Sequence, residues 1–257
     1  MQREVLLSKM TWPEVRERLK VTNIAMVPIG SIEQHGPALP LDTDIYNAYT
    51  VAKKAAERVA EDVKPVMTPP ISFGFSDHHM DFPGTISIRE DVLANFIIDV
   101  CKSLVHHGFK KIVIINGHGG NHAAIHMAIY TLKKETKAFI VYADLFNFAA
   151  DVVAQLAEPP SYHADDVETS VAMALGQYVR KVKLVKQIAR TSIPKYIKID
   201  FSAPPPTVKI PVYLKEFTKT GVIGDPTKAS RKKGEKIVET TIERLAEFLR
   251  QLKRIEI

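Results

Sequence analysis

The chain lacks most features that mark secreted, disulfide-stabilised or membrane-spanning proteins. Only one of its 257 residues is cysteine, Cys101, so no intrachain disulfide can form and a reducing compartment is expected. No run of eighteen apolar residues occurs, which argues against a transmembrane helix. The first ten residues hold no apolar stretch long enough for a signal peptide. We therefore expect a cytoplasmic protein without a membrane partner.

Charge of one sign is not in large excess either. The chain has 35 basic and 29 acidic residues, a formal net charge of +6. Its densest basic run, residues 228–236, lacks the interleaved aromatic side chains of a groove for single-stranded nucleic acid, so no nucleic-acid partner is predicted. The hydrophobic content of 46% is ordinary for a globular protein of this length, and one domain covering residues 1–257 is expected.

Apolar runs alternate with amphipathic stretches through the first 145 residues, and this alternation predicts the fold class. The run at 112–115 is apolar without alternation, which is typical of a strand buried on both faces of a parallel sheet. Strands that alternate with helices predict an α/β protein, a three-layer α/β/α structure with a mainly parallel sheet. The other predicted strands are 24–29, 63–67 and 139–143, and the main predicted helices are 45–61, 90–107 and 122–135.

Local signals predict where several helices begin. Thr11 and Glu14 have the spacing of a capping box at the start of a short helix. Asn121 is predicted to cap the helix that follows the glycine-rich turn, and Asp225-Pro226 to begin the last helix. The proline-rich segment 193–211 predicts an extended loop or an arm.

Two strand ends carry residues of the types that bind metals. The first strand stops abruptly, and a proline-stiffened loop then holds Glu33, His35 and Asp44; the strand at 112–115 leads into a glycine-rich turn with His118. Ligands of open α/β sheets lie outside the carboxyl ends of the strands, so the two loops can meet. Imidazoles and carboxylates together suit Zn²⁺, Mn²⁺ or Fe²⁺. These four residues are therefore candidate metal ligands.

Each of these residues also has an ordinary structural explanation. Glu33 and His35 are equally compatible with an exposed loop pair, Asp44 with a helix N-cap, and the glycine-rich turn with anion binding. A serine hydrolase is a further alternative because Ser31 follows the first strand, although the G-x-S-x-G context of a nucleophile elbow is absent.

A third polar cluster, downstream, contains His163 and Glu168. Glu168 lies near the start of a predicted helix, where the helix dipole alone favours a carboxylate. His163 precedes that helix and is harder to explain by packing, so it is a candidate acid for a leaving nitrogen. The irregular stretch 71–87 is predicted to be functional, and its residues 73–85, with Ser76, His78 and His79, are predicted to form the wall of a substrate pocket. Cys101 lies in an apolar helix and is predicted to be a small core residue rather than a nucleophile.

Five motifs occur in order along the chain. They are G-S-I-E-Q-H-G-P-A-L-P-L-D-T-D from Gly30, F-P-G-T-I-S from Phe82, N-G-H-G-G-N from Asn116, H-A-D-D-V-E-T-S from His163 and G-V-I-G-D-P from Gly221. Taken together they resemble the creatininase family. The resemblance implies an α/β/α metal-dependent amidohydrolase that cleaves a C–N amide bond, a formamide or a cyclic amide, by a metal-bound hydroxide. The G-H-G-G-N form of the turn is similar to that of the archaeal formylaminopyrimidine deformylases rather than to that of creatininase proper.

The resemblance also implies a site with two divalent metal ions, Zn, Mn or Fe. Glu33 and His118 would bind one ion, His35 the other, and Asp44 would bridge them. His163 is implied as the proton-transfer residue, with Glu168 beside it as a catalytic group or as the remaining ligand. Backbone N–H groups of a turn can steady an oxyanion. The predicted substrate-binding residues are Ser76, His79, Gly119, Gly120 and Asn121.

Three departures from creatininase proper bear on the substrate. Gly120 stands where creatininase has a glutamate ligand, and Gly119 stands where it has a tyrosine. The only tryptophan is Trp12, far from the motifs, so a creatinine pocket is not predicted. A small-molecule amide such as a formylamino-ribosylaminopyrimidine phosphate is the expected substrate, and creatinine hydrolysis or a non-catalytic metal-binding scaffold are the alternatives. A homo-oligomer, with a hexamer as one form, is implied by the family.

Overall fold

The structure of the protein, a computed structural model, describes residues 4–159, 161–188, 211 and 213–257. The predicted loop or arm at 193–211 lies outside the described residues except for its last position. One sheet of four parallel strands forms the centre, in the order β2-β1-β3-β4. The strands are β1 (Ile24–Ile29), β2 (Val66–Met67), β3 (Lys111–Asn116) and β4 (Phe139–Asp144).

Helices cover both faces of this sheet, so the predicted layered α/β class with a mainly parallel sheet is confirmed. Helices α2, α6 and α8 pack on one face, and α3 and α4 pack on the other. No helix in the described part of the chain combines the length and apolar character needed to span a bilayer. The helices are α1 (Trp12–Leu19), α2 (Thr43–Arg58), α3 (Glu90–His106), α4 (His122–Glu135), α5 (Ala150–Leu156), α6 (Asp166–Leu175), α7 (Leu214–Phe217) and α8 (Arg231–Arg254).

The two central strands divide their side chains between two hydrophobic cores. In β1, Ile24 and Met26 face α2 and α8, whereas Ala25 and Val27 face α3 and α4. Successive side chains of a strand point to opposite faces, so a strand covered on both sides must be apolar at every position. This is why β1 is a continuous apolar run and β3 is apolar from 112 to 115, between Lys111 and Asn116; both strands are completely buried.

Two of the three predicted helix starts are in the right place, and the third is wrong. Thr11 forms the expected capping box at the start of α1. Asn121 precedes α4 as predicted, but its side chain does not cap the helix; it donates to the Gly30 carbonyl and accepts from the Phe75 N–H instead. Its amide thus joins three loops at the carboxyl end of the sheet.

The last helix begins later than the sequence predicts. The Asp225 carboxylate caps a separate 3-10 turn, Pro226–Lys228, and the chain then becomes extended. Ser230 caps α8 by accepting from the Lys233 N–H. Asp225 and Ser230, five positions apart, therefore cap two separate elements, the 3-10 turn and α8. The Asp-Pro signal alone predicts a single helix there.

The loops after β1 and β3 are neighbours because these strands are paired along their whole length, up to Ile29 opposite Asn116. Gly30 and Gly117 follow these last residues and lie against the start of α2. A Cβ atom at Gly30 would be 2.5 Å from the Ile45 nitrogen, and one at Gly117 would be 2.6 Å from the Asp44 carbonyl oxygen. The two glycines therefore allow α2 to bring Asp44 to the strand ends.

Lys111, at the start of β3, holds the end of the longest helix. Its buried ammonium group donates to the carbonyls of Leu252 and Lys253 at 2.9 and 3.1 Å, satisfying acceptors that a helix end leaves unpaired. We predict that Lys111→Met lowers the free energy of unfolding by about 1–2 kcal/mol and the Tm by about 2–6 °C. Calorimetry checks this against Lys110→Met, which removes a neighbouring exposed lysine; equal Tm values for the two variants would contradict the assignment.

Candidate metal centre

The four predicted ligands lie together in one buried cluster at the carboxyl ends of β1 and β3. The Asp44 Oδ1 is 3.2 Å from His35 Nε2, and Asp44 Oδ2 is 3.1 Å from His118 Nδ1. The Glu33 Oε2 is also 3.1 Å from His118 Nδ1. All four residues are at most 6% exposed. Residues from two distant loops therefore converge, and Asp44 directs one oxygen to each imidazole.

When the two imidazoles are neutral, their outer hydrogen bonds leave the inner nitrogens without a hydrogen. His35 donates from Nδ1 to the Glu33 carbonyl at 3.2 Å, and His118 donates from Nε2 to the Phe75 carbonyl at 2.8 Å. In each neutral ring the other nitrogen carries a lone pair and faces a carboxylate oxygen, so two acceptors oppose each other. A cation between them removes the repulsion, and metal-binding histidines have this outer hydrogen bond.

Two buried atoms support the same conclusion. His35 Nε2 and Asp44 Oδ2 have no hydrogen-bond partner within the described residues, although burying unpaired polar atoms is costly. Both atoms face the cluster, where a metal ion would be their partner. The donor set of carboxylates and imidazoles fits Zn²⁺, Mn²⁺ or Fe²⁺.

The candidate ligand atoms lie in overlapping sets of three: Glu33, His35 and His163; Glu33, His78 and His118; and His35, Asp44 and Glu168. We name two sets that share Asp44, the first chosen from the contacts of His118 with Glu33 and Asp44. Group A consists of Glu33, Asp44 and His118, and group B consists of His35, Asp44 and Glu168. In group B the Glu168 Oε2 is 3.8 Å from His35 Nε2, and the three ligand atoms lie within 4.8 Å of one another. Asp165, not Glu168, supplies the capping carboxylate of α6. The Glu168 carboxylate is therefore not the helix cap; its Oε2 accepts from the Ala164 N–H at 2.6 Å and also faces His35, where it could contact a metal.

Sequence reasoning overlooked His78 as a possible ligand. A nitrogen of His78 lies within 4.8 Å of ligand atoms of Glu33 and His118, and a short 3-10 turn, Asp77–His79, presents it. The only signal in the sequence is the pair of adjacent histidines in an irregular loop, and such a pair has no ligand spacing that distinguishes one ring from the other.

The electrostatics of the cluster favour bound cations. Burial raises the pKa of Glu168 to about 8, and the charges of Asp165 and Asp44 act in the same direction. Burial opposes protonation of His35, yet the Asp44 carboxylate raises the pKa of that imidazole to about 10. Carboxylates buried this close to one another need positive charge beside them, and divalent ions supply it without protonating the imidazoles.

His163 lies beside both groups with its lone pair directed inward. Its Nε2 donates to the Gln34 carbonyl at 2.7 Å, and its Nδ1 is 3.9 Å from Glu33 Oε1 and 4.0 Å from Glu168 Oε2. Burial, followed by the charge of His35, lowers the pKa of His163 to about 4. A neutral ring with this orientation is prepared to accept a proton before it donates one.

The predicted substrate-binding side chains have different surroundings. Ser76 donates to Glu33 Oε2 at 2.7 Å, so its hydroxyl holds a candidate ligand. His79 is 2% exposed and its Nε2 is 3.6 Å from Glu33 Oε1. Burial, followed by the neighbouring His163, lowers the pKa of His79.

The glycine-rich turn is close to the cluster but tightly packed. Gly119 is exposed, whereas a Cβ at Gly120 would collide with the Phe75 carbonyl oxygen and His118 Nε2. The Asn121 N–H donates to the His118 carbonyl at 3.2 Å and is therefore used within the turn. The N–H groups of the two glycines are therefore the candidate donors of this turn to an oxyanion.

The alternative nucleophiles lack the surroundings that their activation requires. The Ser31 Oγ lies 2.6 Å from the Ser76 hydroxyl, and no described imidazole nitrogen forms a hydrogen bond with Ser31. Cys101 is fully buried in α3, and burial raises the pKa of its thiol to about 12. Cys101 is therefore a core residue, as predicted. Ser31, the nucleophile of the serine-hydrolase alternative, has no imidazole partner among the described residues; the serine hydroxyl near an imidazole is that of Ser76, 3.1 Å from His118 Nε2, and it already donates to Glu33.

Comparison with known sequences identifies relatives with several hydrolytic activities. The 3-dehydro-scyllo-inosose hydrolase of Thermotoga maritima is 31% identical over 66% of this chain, although the match spans only 56% of that enzyme. The mycofactocin precursor peptide peptidase of Mycobacterium tuberculosis is 29% identical over 88% of this chain and 86% of its own length. A 2-amino-5-formylamino-6-ribosylaminopyrimidin-4(3H)-one 5'-monophosphate deformylase from Methanothermus fervidus is 25% identical over 92% of this chain and 87% of its own.

Solved structures share the fold over the whole chain. A putative creatinine amidohydrolase from Bacteroides fragilis superposes with a TM-score of 0.85 at 25% identity and covers 100% of this chain and 99% of its own. Creatininase structures described as containing manganese and as Zn-Zn type superpose with TM-scores of 0.80 and 0.79, each at 25% identity over 98% of this chain. The family profile described as "Creatininase: Creatinine amidohydrolase" matches residues 8–249. The chain therefore belongs to the creatininase family, whose members are hydrolases acting on C–N amide bonds.

Proposed function

We propose that the chain is a two-metal amidohydrolase, and that its substrate is a small planar amide such as the formamide of a ribosylaminopyrimidine phosphate. The observation that carries the proposal is the position of Asp44, whose two oxygens face two imidazoles that each present a lone pair. That arrangement would let one carboxylate hold two divalent ions.

In this proposal each group of ligands holds one ion. Group A supplies Glu33, Asp44 and His118, and group B supplies His35, Asp44 and Glu168. When bound, divalent ions supply Lewis acidity to the amide carbonyl and lower the pKa of water towards neutrality. The hydroxyl of Ser76 orients Glu33 by donating to its Oε2.

His163 moves the proton in the proposed reaction. Its Nδ1 faces the cluster and takes the proton of the attacking water, while its Nε2–H stays on the Gln34 carbonyl at 2.7 Å. That carbonyl also stabilises the imidazolium that results. The same Nδ1–H then donates to the leaving nitrogen, so one side chain serves as base and then as acid.

An aromatic cluster beside His79 and His163 supports a planar substrate. Phe82, Tyr162 and Phe217 pack together around Leu214 and Ile223. The Phe82 N–H donates to the His79 carbonyl, and His163 pairs with Ile223, so the cluster adjoins both imidazoles. The only tryptophan of the chain, Trp12, is 69% exposed on α1. We propose that the aromatic faces of this cluster stack against the ring of a planar substrate, and the relationship to the Methanothermus deformylase supports a pyrimidine as that ring.

Peptide-bond hydrolysis is the second candidate. It is favoured by the mycobacterial peptidase, which is more similar to this chain than the deformylase and matches over most of both lengths. The same groups of ligands serve either substrate, because both reactions cleave a C–N amide. The homo-oligomer, including the hexamer, stays a prediction in both cases.

A substrate screen of the metal-loaded protein tests the proposal. Enzyme loaded separately with zinc, manganese or iron is incubated with a formamidopyrimidine nucleotide, creatinine and short peptides, and formate, creatine and free amines are measured. We expect formate release from the nucleotide. Cleavage of peptides alone would establish the second candidate, and bound metal without any turnover would establish a non-catalytic scaffold.

A further inference from the structure

The imidazoles around the cluster differ in which ring nitrogen carries the hydrogen. His35 donates from Nδ1 to a backbone carbonyl at 3.2 Å, and His118 and His163 donate from Nε2 to backbone carbonyls at 2.8 and 2.7 Å. Carbonyl oxygens only accept, so each of these neutral rings directs a lone pair at the cluster. This is the tautomer that a metal ligand or a base requires.

His79 has the opposite arrangement because its outer nitrogen faces a donor. The Gln34 Oε1 accepts from the Gly36 N–H at 2.9 Å, and the Gln34 Nε2 donates to the Gly221 carbonyl at 3.2 Å. These two contacts fix which end of the amide is nitrogen. The second hydrogen of that nitrogen points to His79 Nδ1, 2.9 Å away, which must accept it. The hydrogen of neutral His79 is therefore on Nε2, which lies 3.6 Å from Glu33 Oε1.

The surrounding backbone keeps the Gln34 amide in this position. Gly221 has a φ of +82°, and a side chain there would collide with the amide oxygen of Gln34. Gln34 is 5% exposed and lies between two candidate ligands, Glu33 and His35, so its main chain is held by the same loop. The amide has little freedom to rotate and exchange its two ends.

We propose that Gln34 is a positioning residue that fixes His79 as the neutral hydrogen-bond donor of the site, and that His79 Nε2–H donates to the substrate carbonyl oxygen as negative charge develops on it. The second part rests on the proposed amidohydrolase function. The Gln34 backbone carbonyl accepts from His163 Nε2, so His163, unlike His79, directs a lone pair at the cluster. The rings of His79 and His163 are 4.5 Å apart. Gln34 therefore fixes His79 as a hydrogen-bond donor to the substrate carbonyl oxygen, next to His163, which accepts the proton of water.

The tautomer of His79 is measured directly by nitrogen NMR. Zinc-loaded protein with ¹⁵N-labelled histidine is compared with His79→Asn, which identifies the His79 signals. We expect an unprotonated Nδ1 and a protonated Nε2. In Gln34→Glu the introduced carboxylate accepts at Nδ1, so Nδ1 becomes protonated while the zinc content stays at the wild-type value. A protonated Nδ1 in the wild-type protein, or zinc bound to Nε2, would overturn the inference. A neutron structure of the wild-type protein locates the same hydrogen if the variants do not fold.

Kinetics test the donor role separately. Removing one donor to a developing oxyanion costs about 10²-fold in kcat, so Gln34→Glu should lower kcat by about that factor with little change in KM. Gln155→Glu makes the same chemical change on the exposed side of α5 and should leave kcat unaltered. An active wild-type enzyme whose kcat survives in Gln34→Glu contradicts the donor role. The predicted tautomer in a wild-type protein that hydrolyses no amide would support the positioning of His79 and refute the proposed function.

Discussion

The His118→Ala variant is expected to lose both the metal ion of group A and amide hydrolysis. His118 Nδ1 faces Glu33 and Asp44 at 3.1 Å each, so its removal takes away an imidazole nitrogen that lies close to both carboxylates. His35 Nε2 is 3.2 Å from Asp44 but 3.9 Å from Glu33, so it does not replace His118 in group A. We expect the activity to fall by more than about 100-fold, the upper range for residues that merely support a ligand. Metal content per chain by mass spectrometry and the rate on the best substrate of the screen provide the measurement.

Cys101→Ala is the control for this experiment. Cys101 is fully buried in α3, where its loss costs about 1 kcal/mol of stability but changes nothing in the cluster. Its metal content and activity should therefore match those of the wild-type protein. Retention of hydrolysis in His118→Ala, with Cys101→Ala behaving normally, would show that group A is not the catalytic centre.

The Glu168→Gln variant should lose the ion of group B while retaining that of group A. The substituted amide has the same shape and can still accept from the Ala164 N–H, as the Glu168 Oε2 does at 2.6 Å, so α6 keeps its local structure. The negative charge that faces His35 Nε2 is lost. We expect one ion per chain instead of two and a fall in activity of at least about 10–100-fold. Metal titration by calorimetry resolves the two binding steps.

Glu158→Gln provides the matched control, because it neutralises an exposed carboxylate shortly before α6. Two ions and full activity are expected for this variant. Unchanged metal stoichiometry in Glu168→Gln would show that Glu168 is not a metal ligand and that it only orients Ala164.

Adding Gly120→Glu to Glu168→Gln should not restore the second ion. A carboxylate at position 120 would replace the one lost from Glu168 only if the turn had room for a side chain. Here a Cβ at Gly120 would collide with the Phe75 carbonyl and with His118 Nε2, which disturbs group A as well. Metal content per chain by mass spectrometry tests this, and a second ion in the double variant would contradict it.

The sequence was sufficient to predict the layered fold and the meeting of the first two loops. Continuous apolar runs such as β3 identify buried parallel strands, and ligands gather at the carboxyl ends of such strands. Glu33, His35, Asp44 and His118 follow from that rule together with their chemistry. The pairing of β1 with β3 then brings them together.

The sequence was not sufficient to place Glu168 or His78. Glu168 has a local explanation at a helix start, and only the structure shows that Asp165 already performs the capping. α6 is held in place by close packing on α8, where Gly234 lies directly against the Ser170 carbonyl. Because these two residues are more than sixty positions apart, no local sequence pattern predicts their contact.

The arrangement of the hydrogen bonds also had no signal in the sequence. Gln34 sits in the middle of a recognised motif, but the direction of its amide depends on the Gly36 N–H and on the Gly221 carbonyl from a distant loop. Which histidines present a lone pair is consequently a property of the tertiary structure. Residue types alone predict a metal centre, whereas the role of each histidine in it depends on the three-dimensional structure.

The most direct test of the account is an X-ray structure of the zinc- or manganese-loaded protein with anomalous data collected at the absorption edge of the metal. We predict two peaks about 3.5–4 Å apart, a separation typical of two-metal hydrolases, with one Asp44 oxygen on each. One peak should contact Glu33 and His118, and the other His35 and Glu168. Metal-loaded crystals with no anomalous peak among these residues, or with an ion bound only elsewhere, would contradict the central claim.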